Sequence, residues 1–131
     1  MNAIIEIHDS VLGGIVTREG TVIVHFLRAY LHKSEGRPGF EPGTGWVQEA
    51  RLIFADASTV GSRPDLPCDV ITGELLVGVE RHDNEIPVPL YTTASTELRL
   101  VFDSIHAVTV TGRGIRLELI GEPKYVEEFK P

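Results

Sequence analysis

The sequence predicts an all-β protein: an antiparallel β-sandwich or partly closed β-barrel of about eight strands, with a short helical turn near the C-terminus. Three observations carry this expectation. Val and Ile number 25, whereas Ala, Lys, Gln and Met together number 12; β-branched side chains lose rotamer freedom in helices and pack well on a pleated sheet. Several segments alternate apolar and polar residues with a period of two, the pattern of strands that bury one face. Between them lie clusters of turn-forming residues, drawn from 13 Gly and 8 Pro. A chain of 131 residues fits one β domain over residues 1–131, large enough for a sizeable core.

The elements follow in order. Ile4-Ile5-Glu6-Ile7 fits either a strand or a turn. Residues 11–17 and 21–30 form a hairpin across Arg18-Glu19-Gly20, read as a three-residue loop with Gly20 at positive φ, so that Val16 faces Val22 and Ile15 faces Ile23. The second strand is apolar on both faces at its start, with Val22, Val24 and Phe26 on one and Ile23, Leu27 and Ala29 on the other. Such a strand is expected to be covered on both sides, and a second subunit is one such cover; a homodimer is the expectation. Residues 46–54 place Trp46, Ala50, Leu52 and Phe54 on one face. Further strands are expected near residues 70–79 and 87–91, the latter kept to an edge by Pro87 and Pro89. Residues 96–103 direct Leu98, Leu100 and Phe102 inward. Residues 108–111 and 115–118 pair as a hairpin if Gly112-Arg113 make a two-residue turn. Pro123 at a first helical position, with Tyr125 and Phe129 at i, i+4, predicts the C-terminal helical turn.

Charge narrows the partners. Nineteen acidic residues against twelve basic ones give a net charge of −7, which disfavours phosphate backbones and anionic lipid, so neither nucleic acid nor a membrane is an expected partner. The longest uncharged stretch, residues 86–96, is eleven residues long and holds two prolines, too short for a spanning helix. The N-terminus shows no signal-peptide pattern, so a cytoplasmic location is expected. Cys68 is the single cysteine; it can form no intramolecular disulfide and reads as a small, partly buried apolar residue.

Signature motifs for nucleotide binding, serine hydrolysis and helical zinc sites are absent, and no cofactor is implied. The segment from Pro87-Val88-Pro89 through residues 98–102 and 108–121 to Tyr125-Val126-Glu127-Glu128-Phe129, together with His8-Asp9-Ser10, resembles a pattern in small uncharacterised bacterial β-rich proteins, a family of unknown function. The resemblance implies a compact β-rich protein and assigns no catalytic residues.

Two sets of residues are candidates for function. The loop over residues 34–45 holds four Gly and two Pro and carries Phe40 into Trp46; rigid aromatics beside such a loop suit a pocket lip or a protein interface. Arg28 and His32, on the strand that leads into the loop, complete this binding set. It supports a non-catalytic cytosolic binding or protein-interaction domain, for instance an inhibitor or immunity-type protein that meets a basic partner. The alternative is a metal-dependent, hydrolase-like enzyme. His8-Asp9 and His82-Asp83 would together supply two imidazoles and two carboxylates, a donor set suited to Zn²⁺, Mn²⁺ or Fe²⁺. Adjacent strand residues point to opposite faces, so each pair needs a bulge or loop to converge.

Overall fold

The computed structural model describes every residue, Met1–Pro131. The chain forms ten strands and no helix: β1 (Asn2–Arg18), β2 (Thr21–Ser34), β3 (Gly43–Phe54), β4 (Ser58–Ser62), β5 (Cys68–Asp69), β6 (Thr72–Val77), β7 (Glu80–Asp83), β8 (Glu85–Val88), β9 (Tyr91–Val101) and β10 (Ala107–Phe129). All belong to one antiparallel sheet ordered β5-β1-β2-β3-β10-β9-β6-β7, with β4 paired to β10 and β8 paired to β1. The expected antiparallel all-β architecture is what forms, with every strand in a single sheet.

Period-two alternation builds the core. Val22, Val24 and Phe26 of β2, Ala50, Leu52 and Phe54 of β3, and Leu98 and Leu100 of β9 are fully buried and share one face of the curved sheet. Burying each of the larger apolar side chains contributes roughly 1.5–3 kcal/mol. On the other face of β2, Ile23 is half-buried and Leu27 exposed, so that face is covered only further along, at Tyr30 and His32.

Three expectations are corrected. The first hairpin forms, but its loop has two residues. Glu19 (φ 50°) joins Gly20 (φ 78°) in the left-handed region, the arrangement of a turn whose twist matches the strands. Arg18 therefore pairs with Thr21 and Val16 with Ile23, one residue from the expected register. Second, Gly112-Arg113-Gly114 is not a turn. β10 continues through it, with a bend at Gly114, for 23 residues, and the hairpin that leads into β10 turns instead at residues 102–106, where Asp103 Oδ1 accepts from the amides of Ile105 and His106. The two glycines serve a close approach: Arg113 N–H donates to the Ala55 carbonyl at 2.9 Å, and a Cβ on Gly112 would sit 2.9 Å from that same oxygen.

Third, the C-terminal segment is strand, not helix. A turn or two of isolated helix is weak, and cross-strand contacts outcompete it. Tyr125 packs edge-on against Trp46 with ring centroids 5.4 Å apart, and Phe129 packs on His32 at 5.0 Å. An irregularity between Tyr125 and Glu127 shifts the register, which sets these two aromatics on opposite faces of the sheet.

Candidate functional site

A break in β1 positions the site. Glu6 pairs with Tyr30 and the next paired residue, Val11, meets Arg28, so four residues of β1 bulge out against one of β2. The hydroxyl of Ser10 holds the bulge closed: it donates to the Glu6 carbonyl at 2.7 Å and accepts from the Tyr30 amide at 3.0 Å. On the far side of β1, Asn84 (φ 59°) joins β7 to β8. Its carbonyl accepts from the Ile7 amide at 2.9 Å, and its side-chain oxygen accepts from the His8 amide at 2.8 Å.

The bulge brings one of the two expected His-Asp pairs to a common point, and the other, His82-Asp83, stays apart. His8 and Asp9, which a regular strand would send to opposite faces, converge on Glu6. His8 Nε2 lies 2.7 Å from Glu6 Oε1 and 3.4 Å from Asp9 Oδ2. Glu6 Oε2 accepts a hydrogen bond from His32 Nε2, and Asn84 Nδ2 donates to His8 Nδ1. Glu6, His8 and Asp9 can present one ligand atom each, all within 4.8 Å of one another. His8 and Asp9 are close to half exposed, whereas the His32 side chain is only 10% exposed. The second ring nitrogen of His32 is buried without a hydrogen-bond partner, its ring packed between Tyr30 and Phe129.

Electrostatics separate the two carboxyls. The hydrogen bond from His32, with the nearby charge of His8, holds the Glu6 carboxyl below its ordinary range against the opposing effect of burial. Burial and the charge of Glu6 push the Asp9 carboxyl up. Tyr30, whose hydroxyl donates to Glu127 Oε1 at 2.6 Å, is pushed up by burial and by that carboxylate, so its phenol keeps its proton. Site and C-terminal strand are thereby joined.

The expected residues divide cleanly. Phe40, in the glycine-rich loop, stacks on Arg37 and lines a depression of about 160 Å³ with Ile4, Glu6, Asp83 and Asn84. His32, His8 and Asp9 thus gather around Glu6, with Phe40 and Asp83 on the rim of the same depression. Trp46 does not join them; it donates to Thr44 Oγ1 at 2.8 Å and lies under Lys33. Arg28 lines a separate groove with Leu27, Val47 and Lys124. His82 sits beside Glu80 at 3.6 Å, and the Asp83 carboxylate is engaged by Arg81 at 3.0 Å, so the segment after β6 reaches the bulge through Asn84 instead. Glu6, Asn84 and Tyr30 escaped the sequence reading. Glu6 and His8 share a strand face two residues apart, a signal that could have found the first of them. Comparison with protein-family models, curated proteins and solved structures yields no match.

Proposed function

We propose that the protein is a binding domain for a divalent transition-metal ion held by Glu6, His8 and Asp9. The observation that carries this reading is the convergence of the three donors within 4.8 Å. The distances of 2.7 and 3.4 Å from His8 Nε2 to the two carboxylates compare with donor–donor edges of about 3.3–3.6 Å for a tetrahedral ion with bonds of about 2.0–2.2 Å, so His8 and Glu6 would part slightly to admit the ion. One imidazole with two carboxylates suits Mn²⁺, Fe²⁺ or Zn²⁺. One flanking partner that such a site uses is at hand: His32, which donates to the outer oxygen of Glu6. With the Asn84 oxygen taken by the His8 amide, Asn84 turns its NH2 group toward His8 Nδ1; an ion on Nε2 would need that side-chain amide reversed and the bond to the His8 amide given up.

Pairing of β7 with β6, and of the adjoining β8 with β1, supports reading the sheet as a partly closed barrel. In that reading Asn84 sits on the segment that joins its two ends, so closure and the ion site support one another. The depression beside Glu6, with Phe40 on its lip, gives a small ligand access to the ion.

The test is calorimetric titration of chelator-treated protein with Zn²⁺ and with Mn²⁺, alongside thermal melts. One ion per chain and a raised Tm are expected, both lost in His8→Ala and retained in His82→Ala. No heat and no thermal shift with either ion would overturn the proposal. That outcome leaves the non-catalytic interaction domain, whose signature is a salt-sensitive complex with a basic partner.

A further inference from the structure

A second cavity, of about 250 Å³, opens where the start of β2, the end of β3, the start of β9 and the Gly114 bend of β10 meet. Ile53 and Tyr91 supply an apolar wall; Thr21, Thr92, Arg113 and Arg116 supply polar groups. The sheet register accounts for the arrangement. Arg116 pairs with Ile53 on one side and with Tyr91 on the other, so its guanidinium rises between an aliphatic and an aromatic neighbour. Arg113 is brought to the same rim by the hydrogen bond between its amide and Ala55 and by the left-handed backbone of Gly114 (φ 112°).

Charge is what sets this cavity apart. The chain carries 19 acidic residues, and the groove at Arg28 and the depression beside Glu6 each have at least one acidic residue in their lining. No acidic residue lines this cavity; Arg113 and Arg116 make no ion pair, and Glu118, two residues on from Arg116, is turned to Arg51. Two uncompensated guanidiniums on one concave rim offer ten N–H donors in planar forks, the geometry that matches an oxyanion.

We propose that this cavity binds a small phosphate monoester, its phosphate between Arg113 and Arg116 and its apolar or aromatic body against Tyr91 and Ile53. A monocarboxylate would balance one guanidinium and leave the other unmatched, whereas a phosphate dianion answers both. The volume lies just below the usual range of about 300–1,000 Å³ for small-molecule sites, which suits an aryl- or monosaccharide-sized body. The net charge of −7 repels a polyanion, so the ligand is a free small molecule and not a nucleic-acid backbone.

Phenyl phosphate is the probe, titrated at low ionic strength by amide NMR and calorimetry, with a chelator present so that the result is independent of the ion site. Saturable binding with Kd below about 1 mM is expected, with amide shifts centred on Ile53, Thr92 and Gly114. Removing one charge-assisted contact in Arg113→Ala or Arg116→Ala weakens it by about tenfold or more, while Arg81→Ala leaves it unchanged. Non-saturating shifts, equal loss in Arg81→Ala, or benzoate binding as tightly as phenyl phosphate would each overturn the proposal.

Discussion

At the scale of single residues, Glu6 and Asp9 respond to pH in opposite directions. The Glu6 carboxyl is held below its ordinary value of 4.5 by the hydrogen bond from His32. Its ionised form therefore stabilises the fold above that value, and the contribution fades as pH falls through the lower folded pKa. Glu6→Gln is expected to cost about 1.5–3 kcal/mol at neutral pH, the range of a hydrogen bond to a charged group, and less in acid. Urea denaturation at both pH values measures this, and an equal cost at each would contradict it. Asp9 is raised above its ordinary 3.8 by burial and by Glu6, so its ionised form opposes folding at neutral pH. Asp9→Asn should stabilise the protein there by less than about 1 kcal/mol, given its exposure, and the gain should vanish below the unfolded value. On the metal-site proposal the same variant should also lose ion binding, so stability and binding move in opposite directions. His8 and Asp9 were legible because their residue types announce the chemistry. Their partner Glu6 was legible only through its i, i+2 spacing from His8, because a glutamate in an apolar run otherwise reads as ordinary strand surface.

Elements reveal where local pattern misleads. Gly112-Arg113-Gly114 between two alternating segments satisfies a hairpin as well as it satisfies a kink in one long strand, and the alternation on either side is identical in both cases. Which forms depends on β3 and β4, whose pairing to β10 lies far off in sequence. The C-terminal segment fails the same way: Tyr125 and Phe129 at i, i+4 suggest one helical face, yet Trp46 and His32 draw them to opposite faces of a sheet. By contrast, the inward rows of β3 and β9 were legible because burial of one face imposes its own period. Close packing between elements can be tested at Gly45. An added Cβ there would fall on the phenol of Tyr30, 2.8 Å from Cζ, and displace the hydroxyl from Glu127. Gly45→Ala is expected to destabilise by about 1–3 kcal/mol, the usual cost of overpacking. Tyr30→Phe should then cost less in the Gly45→Ala background than alone, since its hydrogen bond is already lost. Additive effects in that double-mutant cycle would refute the coupling.

For the whole molecule, the question is how one curved sheet stays discrete. The expectation of a homodimer rested on the two apolar faces of the strand that became β2, one of which leaves Leu27 exposed; association through an edge is a separate matter, and β2, flanked by β1 and β3 along its length, offers none. One open edge lies at the end of β10. From Glu118 onward β10 pairs only with β3, leaving a row of backbone groups able to recruit a strand from another chain. Several devices blunt it. Pro123 lacks an N–H; register irregularities fall between Ile120 and Lys124 and again between Tyr125 and Glu127; and Glu122, Lys124 and Glu128 are exposed there. Each interrupts the regular, uncharged ladder that strand addition requires. The wild-type protein is therefore expected not to associate through this edge. A Pro123→Thr, Lys124→Val, Glu128→Thr variant restores the missing donor and removes two charges. It should self-associate in sedimentation velocity at about 100 μM, within the concentration range where exposed strand edges aggregate. A wild-type dimer that Val126→Pro dissolves, with the fold intact by circular dichroism, would show instead that this edge is the interface.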